Sequence, residues 1–172
     1  AIEVLRQLKG KTHPNTVFGV GTVEEEVGLR GAGTSAFEVA PDVAFAVDVT
    51  IAADTPGSDD SDFAEHCGKG PSISIMDGSL LPNTVLRDFV VETAEKEKIP
   101  YQFGALTKGG TDGGRIAMTR SGVPTITLSV PSRYIHSHNS IIHIDDYLNL
   151  VKLLVAVIKK LDSRMLKKIR SM

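Results

Sequence analysis

Two apolar runs, Val43-Ala-Phe-Ala-Val-Asp-Val49 and Pro124-Thr-Ile-Thr-Leu-Ser-Val130, read as buried strands, and helical spacing precedes and follows each of them. Ala1–Lys9 carries Ile2, Leu5 and Leu8 on one face. Gly28 to Val39 repeats the pattern with Leu29, Ala32, Ala36 and Val39, and Asn83 can cap a helix that runs to about Lys98. A long helix after Asp146 places Leu148, Val151, Val155, Ile158 and Leu161 on one side. Further strands are expected at Thr16–Val23, covered on both faces, at Ile73–Ile75 and at Tyr101–Leu106, with a short helix at Arg115–Thr119. Strands alternating with helices specify an α/β domain, a three-layer α/β/α sandwich around a mostly parallel sheet.

The connectors follow from turn chemistry. Ile51–Pro71, rich in Ser, Asp and Gly, is expected to be a loop, and Lys108-Gly-Gly-Thr-Asp-Gly-Gly114 a tight one. The basic residues after Lys159 read as the solvated face and frayed end of the last helix. With 172 residues the chain has room for one domain with a real core. A formal net charge of -2 gives no basic field, which disfavours nucleic acid and acidic membrane as partners. No apolar run reaches the roughly 18 residues that cross a bilayer. The single cysteine, Cys67, rules out an internal disulfide and suits a reducing compartment, the cytoplasm.

Chemistry concentrates where strands are expected to end. In parallel sheets functional groups collect at the carboxyl ends of strands, and Glu24-Glu-Glu26, Asp48, the Gly109–Gly114 loop and His136 all fall at or just beyond such ends. A run of three glutamates is open to two readings: a solvated acidic turn, or carboxylates held against positive charge or a metal. Carboxylates from two strand ends and a histidine from a third loop are ligand types of a hydrolytic zinc or cobalt centre. Neighbouring glutamates suit a division of labour in which one holds metal and the next accepts a proton. Asp48 is equally open to a structural reading, a buried aspartate held by backbone amides. His138 and His143 read as surface or supporting residues, and Cys67 as a structural thiol.

Thr22-Val-Glu-Glu-Glu-Val-Gly-Leu-Arg-Gly-Ala32, Val47-Asp-Val-Thr50 with Asp54-Thr-Pro-Gly57, Gly68-Lys-Gly-Pro71, Lys108-Gly-Gly-Thr-Asp112, Ser121-Gly-Val-Pro124 and Arg133-Tyr-Ile-His-Ser137 form an ordered series. The series resembles the C-terminal catalytic half of the tetrahedral zinc aminopeptidases, a family that includes glutamyl and deblocking enzymes and members carrying an endoglucanase label. The resemblance implies a cytoplasmic hydrolase that removes N-terminal residues from short peptides, uses two divalent ions (zinc, or cobalt in vitro) and assembles as a homo-oligomer, a dodecamer. It implies that Glu25 is the general base, that Glu26 and His136 bind one metal ion and that Asp48 binds the other. It places Asp112, Arg133 and Tyr134 near the substrate.

The departures from the family's pattern are as informative. Glu24 stands where glutamine often precedes the pair. The family's upstream His-x-Asp motif and metal-bridging aspartate have no counterpart here, since His13 is followed by Pro14-Asn15, His66 by Cys67-Gly68 and His143 by Ile144-Asp145. The β-rich dimerisation domain that the family inserts in its first half is also missing. Residues 1–172 are therefore expected to be the C-terminal part of a metallopeptidase catalytic domain, a partial domain with a bare sheet edge that holds a dinuclear centre poorly and is inactive alone. Ala1–Lys9, which reads as the second half of a helix, fits that expectation. Two rival readings are an endoglucanase-type glycoside hydrolase, which would use two carboxylates and no metal, and a metal-free or assembly module.

Overall fold

The computed structural model describes residues 1–58 and 65–171, and the expected Ile51–Pro71 loop lies partly outside them. The elements run α1 (Ile2–Leu8), α2 (Arg30–Val39), β1 (Ala44–Ile51), β2 (Ser72–Met76), α3 (Thr84–Lys96), β3 (Gln102–Ala105), α4 (Asp112–Ala117), β4 (Thr125–Arg133), β5 (Ile141–Ile142), α5 (Ile144–Lys160) and α6 (Ser163–Arg170). The five strands form one mixed, mostly parallel sheet in the order β1-β4-β2-β3, with β5 hydrogen-bonded to β4. β1 lies parallel to β4, with Asp48 beside Ser129, and β2 lies parallel to β3. The two parallel pairs meet at a short antiparallel seam between β2 and β4.

β4 shows why the sheet is covered on both sides. Ile126, Leu128 and Val130 point into the apolar core, which also takes Leu86 and Val90 of α3 and Leu153, Leu154 and Val157 of α5. Thr125, Thr127 and Ser129 alternate with them and are equally buried, so a hydroxyl-bearing face looks the other way. α1, α3, α5 and α6 pack on the apolar side, while α4 packs against β1 and β4 from the hydroxyl side and carries α2 on its back. At that contact Gly113 and Gly114 lie against the sheet: a Cβ on Gly113 would stand 2.6 Å from Thr127 Oγ1, and one on Gly114 2.3 Å from Ser79 Oγ. Thr111 fixes the start of α4 by donating to Asp77 Oδ2 at 2.8 Å. Asn83 caps α3 as expected, its side chain accepting from the Leu86 amide at 2.9 Å.

Four expectations need correction. Thr16–Val23 is no strand but a segment without ladder pairing, with Val17 packed against the core but Phe18 63% and Val23 67% accessible. Its apolar composition is real, but no strand among the described residues lies beside it, and a strand needs a ladder partner. The second half of the expected glycine loop is already helical, because α4 begins at Asp112. α5 buries Val151, Val155 and Ile158 as expected, with Leu161 packed against the core, but the buried stripe is wider, taking in Leu150, Leu153, Leu154 and Val157, and it leaves Leu148 42% exposed. The basic tail is a separate helix, α6, capped by Asp162 and anchored by fully buried Ile169. Among the described residues no helix is long and apolar enough to cross a membrane.

Candidate active site

Three segments converge beside the β1–β4 pair. The first is the turn that follows the unpaired segment, Val23–Gly31. Glu24 adopts a positive φ of 58°, the Leu29 amide donates to Glu25 O at 2.9 Å and the Gly31 amide to Val23 O at 2.9 Å. Gly31 is required by that approach, since a Cβ there would meet the Val23 backbone at 2.5 Å. The glutamates therefore leave a tight turn rather than a strand end. Arg30 stands 3.5 Å from Glu24, which takes Glu24 out of the cluster that its neighbours form.

Asp48 comes from inside β1 rather than from its end, and its Oδ1 accepts from the Val49 amide at 2.8 Å. His136 comes from the turn beyond β4, where Tyr134 and His136 both have positive φ, 59° and 61°. Non-glycine residues in that region are held there by their surroundings. Here the single Ser137 hydroxyl proton is shared between Tyr134 O at 2.6 Å and Asn139 O at 2.8 Å, and Ser140 Oγ donates to Tyr134 O at 3.3 Å. The turn brings His136 Nδ1 within 3.4 Å of Glu26 Oε1.

Electrostatics tie the groups together. Partial burial, then the charges of Asp48, Glu26 and Asp112, push the Glu25 carboxyl above its ordinary value. Asp48 is raised for the same reasons, first by burial and then by Asp112 and Glu26, against the pull of the Val49 amide. A site where neighbouring carboxylates hold Glu25 and Asp48 above their ordinary values is the environment a cation relieves. The donor set present fits such an ion at two corners only, Glu26 and His136. Among the described residues no group of three or more His, Cys, Asp or Glu is placed to hold a metal.

The remaining expected residues divide. Asp112 joins the cluster and accepts from Thr22 Oγ1 at 2.6 Å. Arg133 is instead drawn into a forked ion pair with Asp54 Oδ2 through Nε and a terminal nitrogen. Tyr134 is 43% exposed at the head of the histidine turn. His143 caps α5, its ring accepting from the Asp145 amide at 3.3 Å. Two supporting residues escaped the sequence. Thr22 carried no signal beyond its place in the motif. Asp146, 1% exposed, accepts from the Gly68 and Gly70 amides at 2.7 Å each and thereby explains the Gly68-Lys-Gly-Pro71 turn; partners that are backbone amides leave no trace in residue types.

Residues 1–153 match the family model of the M42 glutamyl aminopeptidases. The chain belongs to the M42 aminopeptidase family. It is 43% identical over 157 residues to a putative aminopeptidase of Acetivibrio thermocellus, a match covering 91% of this chain and 46% of that protein. The crystal structure of a TET aminopeptidase from a marine sediment archaeon of the Thaumarchaeota superposes with a TM-score of 0.95 at 42% identity, over 98% of this chain and 47% of that one. The TET1 peptidase of Pyrococcus horikoshii, which assembles into a tetrahedron or a large octahedral shell, superposes with a TM-score of 0.66 at 35% identity, over 81% of this chain and 40% of that one. The chain thus spans about half the length of the relatives it matches.

Proposed function

We propose that this chain carries the proton-handling group and several metal ligands of an aminopeptidase that removes N-terminal residues from short peptides. The observation that carries the reading is the approach of His136 to Glu26 at 3.4 Å beside the crowded carboxyls of Glu25 and Asp48, in a chain of the M42 family. Glu26 and His136 would hold one divalent ion, zinc or cobalt, and Asp48 would hold a second. When bound, such ions supply Lewis-acid polarisation of the scissile carbonyl and acidify water.

Glu25 does the proton work. Its carboxylate takes a proton from the attacking water as the new C–O bond forms and returns it to the departing amine as the C–N bond breaks. A carboxyl held above its ordinary value is better matched to that exchange near neutral pH than an unperturbed one. Tyr134, exposed beside the cluster, is a candidate substrate contact, whereas Asp112, bonded to Thr22, and Arg133, bound to Asp54, would order the turns that carry Glu25 and His136. A cytoplasmic location suits the single thiol, and the likeness to shell-forming relatives supports a homo-oligomeric shell, a dodecamer, for the full-length protein.

The test is an aminopeptidase assay with metal analysis on the full-length protein. Glu25→Gln is expected to abolish turnover with metal retained, and Glu26→Gln or His136→Ala to lose metal. Chelator-resistant release of sugar from glucan, without release of amino acids, would overturn the reading in favour of a glycoside hydrolase.

A further inference from the structure

We propose that Asp112 is a positioning residue: through Thr22 it fixes the turn that carries Glu25. The inference rests on the aminopeptidase reading for its kinetic consequence and on geometry alone for its structural one. Asp112 Oδ2 accepts from Thr22 Oγ1 at 2.6 Å, a link between positions 90 residues apart. On the Thr22 side, Glu25 follows only three residues later, and the intervening backbone is closed by Gly31 N to Val23 O at 2.9 Å and Arg30 N to Glu24 O at 3.2 Å.

On the Asp112 side the anchor is rigid. The preceding Thr111 hydroxyl contacts both Asp77 and Thr127 at 2.8 Å, and the following Gly113 and Gly114 are pressed onto Thr127, Leu80 and Ser79 too closely to admit a Cβ. The hydrogen bond from Thr22 is therefore a tether from the sheet-bound start of α4 to an otherwise exposed segment. Oδ1 of the same carboxylate is buried and accepts no hydrogen bond among the described residues. A carboxylate placed here also repels Glu25 and Asp48.

Variants separate the hydrogen bond from the charge. In the full-length enzyme Thr22→Val and Asp112→Ala are each expected to lower kcat roughly tenfold to hundredfold, the scale of a small misplacement of a reacting group, with KM and metal content little changed. The double variant is expected to be no worse than either single one. Asp112→Asn, whose amide oxygen can accept from Thr22, is expected to recover about tenfold or more over Asp112→Ala. In the present chain, deuterium exchange at the Gly28, Leu29, Arg30 and Gly31 amides should quicken in Thr22→Val and Asp112→Ala and remain slow in Asp112→Asn. Unchanged exchange in the first two variants overturns the tether. Additive kinetic losses, or an Asp112→Asn as impaired as Asp112→Ala, overturn its part in catalysis. An unsubstituted full-length protein with no peptidase activity would instead sink the aminopeptidase reading and leave the exchange result to decide the tether.

Discussion

Asp48 makes the conflict between stability and function visible in a single side chain. Its carboxyl is raised above its ordinary value, so the folded state prefers it protonated. Any stability tied to that preference is fully present below the unfolded carboxyl range, near pH 4, and is lost as pH rises through the raised folded value. At neutral pH the ionised group is a net cost. Asp48→Asn is therefore expected to raise the melting temperature of the metal-free chain at pH 7 by about 1–4 °C, the equivalent of a few tenths to about 1 kcal/mol after solvent screening, and to leave it unchanged at pH 3. Scanning calorimetry at the two pH values checks it, and a lower melting temperature at pH 7 would contradict the crowding. Asp54 has the opposite sign. The Arg133 guanidinium holds its carboxyl below the ordinary range, so the pair's contribution is present above about pH 4 and disappears as pH falls through the folded value. The stability lost in Asp54→Asn, read from urea melts, should be largest near neutral pH and shrink towards pH 2. Residue types made Glu25, Glu26, Asp48 and His136 legible as site candidates, because acid–base and metal chemistry restrict the side chains that serve. Arg133 was expected near the substrate only by resemblance, and its pairing with Asp54 was not legible, since ion pairing across 79 positions leaves no local pattern.

At the scale of elements, what the sequence disclosed was whatever depends on near neighbours. α3, α5, β1 and β4 follow from caps and periodicity, and each was expected within a few residues of where it stands. β5 is only two residues long, below any periodic signal, and α6 hid its single buried anchor, Ile169, among basic residues. The first turn of α4 hid in glycines, whose low helix propensity argued for a loop, although its second half was expected. Packing reverses that preference, because only glycine lets the helix touch the sheet. Gly113→Ala should then destabilise the fold by about 1–3 kcal/mol, despite alanine's better helix propensity, with its Cβ driven towards Thr127 Oγ1 and Leu80 Cδ2. Equilibrium urea unfolding measures this, and a stabilised variant would show that α4 can lift away from the sheet freely. Asp162→Ala tests α6 separately: loss of the bond to the Met165 amide should cost about 0.5–2 kcal/mol.

Over the whole molecule the missing term is a partner for β1. β4 stands on one side of it, and no described strand stands on the other. Val47 and Val49 remain 45% and 44% exposed, and an apolar groove of about 350 Å³ opens beside them between α1, β1 and α5. Phe18, Val20 and Val23, which composition assigned to a covered strand, are exposed as well. The expectation of a covered strand there fails, because these apolar side chains find no cover among the described residues. Unpaired edge strands with apolar side chains recruit other chains, so the chain by itself is expected to associate in a concentration-dependent way and to bind a hydrophobic dye. Val49→Lys places a charge on that edge, the device by which natural sheets discourage such pairing. It should reduce both light scattering and dye fluorescence without lowering the melting temperature. If association persists undiminished in Val49→Lys, the surface that joins copies lies elsewhere than the β1 edge.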